Sequence, residues 1–294
     1  MTDFKTFVDH AWRDHGDDPR GTADRLADAL PLIRAEPQIA DLAALAHHVY
    51  GEHLGAWREG LAFFDRIPGL PTYAMEGTSG QALRRCIASL TLASGIDDLR
   101  PGLSRSDRIR VGAMAACNLV ERDIARAATL FEDALEQARR TDLAADDPAN
   151  RTLAVTGNSL ACALEQTVER DPKERELMIV AAQAARQYWE VAGTWLETER
   201  AEYRLAMTWL QAGDPAQARH HAEACLAIVD ANNGAALEWF FGHEAAALAE
   251  HALGNTAARA EAVAAARRAF EQLDAGDKSW CAETLTKLTA LAPT

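Results

Sequence analysis

Helix-ending turns recur along this chain at a nearly constant interval, and no other feature limits its possible folds as strongly. In "LAMTWLQAGDPAQARHHAEACLAIV" (205–229), helix-forming sequence is broken by Gly213, Asp214 and Pro215 and then resumes at once. Gly213 suits a left-handed helix end. Asp214 suits an N-cap, because its carboxylate can accept from free amides of the next turn. Pro215 suits the first helical position, where its missing N–H leaves nothing unpaired. The stretch therefore reads as two helices joined by a tight turn. Similar punctuation stands at Gly55, Arg122-Asp123, Asp171-Pro172 and Gly254-Asn255. From Asp123 to Asp171 is 48 residues, to Asp214 a further 43, and to Asn255 a further 41. A near-constant period in this range predicts helical hairpins that bury their apolar faces by stacking on one another.

Caps and 3.6-residue periodicity predict helices near 3–15, 19–34, 37–53, 56–66, 78–94, 105–120, 123–141, 148–169, 172–192, 195–211, 214–231, 233–252, 255–273 and 276–291. Pro19 and Pro37 read as first-turn prolines. No run shows the alternation of a strand. The fold class expected is all-α: a right-handed superhelix of about seven antiparallel hairpins, an α-solenoid. One domain is expected over 1–294, with 1–36 as a capping hairpin and 276–294 as a capping helix that also offers a dimer surface. Two connections are irregular, 67–80 and 94–107. Loops of this length are either functional or adaptors between repeats of imperfect geometry.

The residues around these turns resemble the tetratricopeptide-repeat superfamily. With Gly213-Asp214 at the family's turn, Leu205, Ala206 and Trp209 take the large, small and aromatic positions of the first helix. Ala218 and Cys225 take the small positions of the second, while Ala222 stands where the family prefers an aromatic. Ala127, Phe131 and Ala134 match in another repeat, as do Gly60 and Phe64; around Gly254 and Asp171 the turns carry most of the likeness. The family's basic repeat is 34 residues, roughly. Here the period is near 42, which resembles a long-helix branch of the superfamily. The resemblance spans residues 37–291 and implies a packing architecture and a concave groove, not a particular ligand.

Net charge is −14 with 44 acidic and 30 basic residues, so nucleic acid and anionic membranes are not expected partners. The N-terminal stretch lacks an apolar core, no segment is long and apolar enough to span a bilayer, and the five cysteines lack CxxC spacing. These features predict a cytoplasmic protein with reduced thiols. The basic residues are 26 Arg and 4 Lys, a bias of GC-rich bacterial genomes.

Catalytic signatures are missing. No GxSxG elbow, HExxH or GxGxxG occurs, and the Gly-rich helix start "EGTSGQA" (76–82) lacks the lysine and preceding strand of a phosphate loop. No enzymatic activity and no cofactor are expected. In "LAHHVYGEHLG", His48 and Glu52 share a helix face, but His47 points about 100° away and His53, five residues on, is poorly spaced. A third metal ligand would have to come from another helix, and no metal site is expected. His220, His221, His243 and His251 have no ligand spacing either.

Projected from the resemblance, first helices line the groove. The positions are Leu160 and Leu164 in one repeat; Arg200, Tyr203, Arg204 and Met207 in the next; then Phe241, Glu244 and Leu248. Arg200 and Arg204, at i and i+4, would clamp a carboxylate or acidic peptide, or else pair with Glu197, Glu199 or Glu202. The function expected is a non-enzymatic scaffold that binds a protein or peptide on its concave face. The alternative is a small-molecule or metal sensor with a pocket on the inner face.

Overall fold

The computed structural model describes residues 3–96 and 102–291, and among them no strand occurs. The fourteen α-helices found there are α1 (Phe4–Asp14), α2 (Pro19–Arg25), α3 (Glu36–His47), α4 (Trp57–Phe64), α5 (Thr78–Ala93), α6 (Arg105–Leu119), α7 (Ile124–Thr141), α8 (Pro148–Glu165), α9 (Pro172–Ala192), α10 (Trp195–Ala212), α11 (Pro215–Ala231), α12 (Ala236–Ala252), α13 (Thr256–Glu271) and α14 (Ala275–Ala290). Two differences from the expected spans have local causes. The second helix stops at Arg25 and continues as a 3₁₀ segment, Leu26–Leu32, that contains Pro31. The third leaves α geometry at His48 and runs to His53 as a π-helix. The 94–107 connection lies in part outside the described residues.

The turns are built from the expected caps. Gly213 is left-handed at φ 82°, Asp214 accepts from the Gln217 amide, and Pro215 opens α11. Asp123 accepts from the Arg126 amide. Asp171 accepts from the Lys173 and Glu174 amides while the Glu174 carboxylate accepts from the Asp171 amide, closing a capping box. The 67–80 connection is tied to α3 by one side chain, and the Ser79 hydroxyl and Arg84 also bind its Ala74 and Met75 backbone groups. The Glu36 carboxylate accepts from the Ser79 amide, the Ser79 hydroxyl and the Thr78 hydroxyl. Of the free amides at the start of α5, that of Ser79 is thus met by an anion of the chain itself, and that of Gly80 by the Ala74 carbonyl.

Helices pack on their sequence neighbours, and alternate helices also touch: α3 with α5, α10 with α12, α12 with α14. Hydrogen bonds between side chains and their distant partners fall repeatedly about one interval apart. Examples are Ser79 to Glu36, Ser106 to Asp147, Arg170 to Gln211 and Tyr203 to Glu244, at separations of 41 to 43. Equivalent faces are therefore placed side by side, an arrangement compatible with a helical repeat.

The residues that carried the family likeness are packing residues. Ala127, Phe131, Ala134, Ala206, Ala218 and Cys225 are buried at 1% exposure or less, and so is Ala222, the position that departs from the family. Small side chains let helix axes approach, and the large ones fill what remains. Gly157 shows how close the approach is: a Cβ there would stand 2.6 Å from the Ala181 carbonyl oxygen of α9. All five cysteines are free thiols, and burial raises the Cys86 thiol to about 12.

The chain divides into two compact units, Met1–Thr152 and Leu153–Thr294. In the first, residues of α1 to α5 form one core around Leu26, Ile39, Leu42, Leu45 and Phe64. In the second, Phe240, Val263, Ala266, Cys281 and Leu288 join α12, α13 and α14. No helix among the described residues is long and apolar enough to cross a membrane.

Candidate functional site

In the second unit, α10 starts at Thr194, whose side chain accepts from the Leu196 amide and whose own amide donates to Glu197. That start sets the helix phase. Leu205 and Ala206 then turn into the core, while Arg200, Tyr203 and Arg204 share a neighbouring face. With Leu237, Glu238 and Phe241 of α12 and Trp280 of α14, they line an open cavity of about 610 Å³. Asn158 of α8 and Glu199 of α10 complete the lining.

One wall is aromatic. The Tyr203 and Phe241 rings lie 5.6 Å apart between centroids, and Phe241 and Trp280 lie 5.2 Å apart, both in tilted or edge-on contact. Trp280 is 65% exposed, the most open of these rings. Such a surface supplies a large contact area with few rotamers to fix.

The charged groups are paired, and their partners are distant in sequence. Arg200 donates to Glu238 at 3.0 Å. Arg204 donates to Glu165, at the end of α8, whose other oxygen accepts from the Thr208 hydroxyl at 2.6 Å. The Tyr203 hydroxyl donates to Glu244 at 3.0 Å. Burial and the Glu244 carboxylate raise the Tyr203 phenol, so it stays a neutral donor. The two arginines do share a face, and each reaches an acid of another helix, Glu238 for Arg200 and Glu165 for Arg204. Glu202 faces another way, between Arg186 at 2.5 Å and His221 at 2.7 Å. Burial alone would raise its carboxyl; His221 and Arg186 outweigh burial and hold it below the usual range.

Among the lining residues, two polar atoms that are buried from solvent have no hydrogen-bond partner, Glu199 Oε2 and Arg204 Nε. The other oxygen of Glu199 accepts from the Cys225 thiol at 2.9 Å. Burial lifts the Glu199 carboxyl to about 7, with the nearby Glu238 charge adding to the rise. In the unfolded chain this group ionises near the ordinary 4.5. The folded protein therefore keeps a proton that the unfolded chain releases, so this contribution to stability is complete below pH 4.5 and is lost as pH rises through 7. Glu199→Gln is expected to remove that loss and to exceed the wild type by roughly 2–3 kcal/mol at pH 8. Urea midpoints of both proteins at pH 5 and pH 8 check it. A difference between them that does not change with pH would exclude the buried acid.

Of the expected groove residues, Arg200, Tyr203, Arg204 and Phe241 meet at the cavity, and Glu244 reaches it through Tyr203. Met207 is half-buried and does not line it. Leu160 and Leu164 are core residues at 0% and 2% exposure, and α8 presents Asn158 instead. Leu248 packs against the α12–α14 core. Glu165, Glu238 and Trp280 are additions that the sequence reading missed. A signal for the two acids existed: Glu165 precedes Arg204 by 39 residues and Glu238 follows Arg200 by 38, close to one interval.

The histidines separate into different roles. His47 is buried with Ser89 and Asn118, its Nε2 2.9 Å from the Ser89 hydroxyl and 3.2 Å from the Asn118 amide nitrogen. His243 stacks on Trp239. His48 and His53, expected to be badly spaced, instead meet each other and His15. Their Nε2 atoms lie 3.1 Å apart from His48 to His53 and 3.1 Å from His48 to His15. No known family model matches the chain, and no curated protein matches it.

Proposed function

We propose that this chain is a non-enzymatic binding protein built of tetratricopeptide-like helical hairpins, and that the cavity of α10, α12 and α14 takes an apolar or aromatic side chain of a partner's peptide. The observation that carries this is the convergence of Tyr203, Phe241 and Trp280 on one open cavity. Rings provide the anchor contact, and the Arg200–Glu238 pair of the same lining gives a bound peptide polar groups to meet, the usual division of labour in a recognition site. An acidic peptide is a poorer fit than the sequence suggested. Glu238 and Glu165 already occupy the two arginines, and an incoming carboxylate would have to displace them. Net charge of −14 also disfavours an acidic partner.

The test is selection of a random peptide library on the purified chain, with affinities of the enriched peptides measured by calorimetry. The expected peptides share one large apolar or aromatic residue. Trp280→Ala should weaken them by ~10-fold or more with an unchanged melting temperature, because Trp280 is largely outside the core. No enrichment, or equal binding by Trp280→Ala, would remove the peptide reading.

Glu199 favours a second reading, a small-molecule sensor at the same cavity. Its carboxyl belongs to the cavity lining and is raised to about 7, and acids perturbed in this way cluster at ligand sites. Native mass spectrometry of the purified chain distinguishes the two, because a retained small ligand adds a discrete mass that denaturation removes.

A further inference from the structure

The three imidazoles of the first unit are held in a way that leaves them short of one cation. His48 and His53 belong to the π-helical stretch His48–His53, which ends with the Leu54 amide donating to the Val49 carbonyl at 3.0 Å. In an α-helix residues five apart lie about 140° apart around the axis. The i to i+5 repeat of a π-helix stacks them instead, and this is why the two rings touch. Two features hold the stretch. Gly51 lies where a Cβ would stand 2.2 Å from Asn118 Oδ1 of α6, so the backbone is seated tightly there. The Arg122 guanidinium donates to the Glu52 and His53 carbonyls, each at 2.9 Å, and satisfies the end of the stretch. His15 caps the C-terminus of α1 and brings the third ring from a separate helix.

The outer nitrogens of two rings are already assigned. His15 Nδ1 is 2.6 Å from the Trp12 carbonyl oxygen, and His48 Nδ1 is 3.1 Å from a Glu52 carboxylate oxygen. Both partners only accept, so both Nδ1 atoms carry the hydrogen. In the neutral rings both Nε2 atoms then present bare lone pairs, and they face each other at 3.1 Å. His53 Nε2 faces His48 Nε2 at the same distance. One hydrogen, an added proton or the one that His53 carries on Nε2, can bridge one of these pairs; a dication is met by all three nitrogens together once the His53 hydrogen sits on Nδ1.

The spacing suits a metal. Zinc–imidazole bonds of about 2.0–2.1 Å at the tetrahedral angle place neighbouring ligand nitrogens ~3.3 Å apart. Here two separations are 3.1 Å, and all three nitrogens lie within 4.8 Å of one another. The outer groups are those that orient ligating histidines elsewhere, a carboxylate on one ring and a backbone carbonyl on another. Three imidazole nitrogens with no inner carboxylate disfavour magnesium and calcium, which take oxygen ligands.

We propose that His15, His48 and His53 form a binding site for a divalent transition-metal ion of the zinc class, with Glu52 and the Trp12 carbonyl as its outer shell. Three protein ligands leave a fourth position for water or a further ligand. The ion joins the end of α1 to the π-helical stretch. The site stands independently of the cavity in the second unit.

The test uses the untagged full chain. Zn²⁺ is titrated by calorimetry, and Co²⁺ is followed by its visible absorption. The expected result is one equivalent of Zn²⁺, the intense visible bands of tetrahedral Co²⁺, and a higher melting temperature with metal. His15→Gln, His48→Gln and His53→Gln should each weaken Zn²⁺ by ~100-fold or more, and Glu52→Gln by ~10–100-fold, since it leaves all three ligands in place. His15→Gln decides the matter if a variant in the π-helical stretch does not fold, because His15 lies at the partly exposed end of α1. Absence of saturable binding up to ~1 mM Zn²⁺, or binding that His15→Gln leaves unchanged, overturns the proposal.

Discussion

Glu165→Ala is expected to destabilise the second unit by about 3–5 kcal/mol, as removal of one partner of a buried ion pair does. Both Glu165 oxygens are in use, one by Arg204 and the other by Thr208. The carboxylate side chain is 11% exposed and the Arg204 side chain 24%, so water does little to replace the lost contact. Arg204 also has an Nε without a partner, and the alanine would leave its guanidinium poorly satisfied in a low-dielectric setting. The double variant Glu165→Leu/Arg204→Met is the informative control. It removes both charges, and by the same physics should recover most of the loss. Chemical denaturation followed by circular dichroism measures both. A loss below ~1 kcal/mol for Glu165→Ala would mean that the pair behaves as a solvent-exposed one.

Phe240→Ala should cost a comparable amount, about 3–5 kcal/mol, for a different reason. Phe240 has no exposure and touches the rings of Phe241 and Phe270 at centroid distances of 5.3 and 5.9 Å. Around it the core is rich in alanine: Ala247, Ala262, Ala266 and Ala269. Alanine side chains cannot rotate into a void, so the space left by the ring would stay open and the cost should lie at the upper end of that range. Phe241, which forms the wall of the cavity, leans on Phe240. Ligand binding should therefore weaken along with stability, unlike Trp280→Ala, which should affect binding alone. Thermal denaturation of Phe240→Ala beside Phe240→Leu checks the argument. Equal melting temperatures for the two would show that the alanine site collapses.

The helices themselves were largely legible in the sequence. Asp123, Asp171 and Asp214 cap where their local neighbours predict, because a cap is a contact between residues two or three apart. The 3₁₀ segment after Arg25 was missed, although Pro31 marks a place where α-helical hydrogen bonding is interrupted. Part of the cavity was legible as well. Arg200, Tyr203 and Arg204 share a face through helical spacing alone. Glu244 was also expected in the groove, and Glu165 and Glu238 stand close to one interval from their arginines, but which groups pair was not legible, because the partners lie 38 to 41 residues apart and only packed neighbouring helices bring them near.

The histidines show the same division more sharply. Read as α-helix, the segment separates His48 from His53, and nothing in its residues announces a change of register. The π geometry occurs where Gly51 meets Asn118 of α6 and Arg122 takes the carbonyls of Glu52 and His53. His15 is 33 residues from His48, on a helix that the sequence does not connect with it. Alone, the sequence determined a helical architecture, most of its capped helix starts and the small and large residues of its packing, since these depend on neighbours within a few residues along the backbone. Tertiary structure decided which charges are paired, which rings form a wall and which nitrogens converge, since those depend on contacts that exist only once distant helices are packed together.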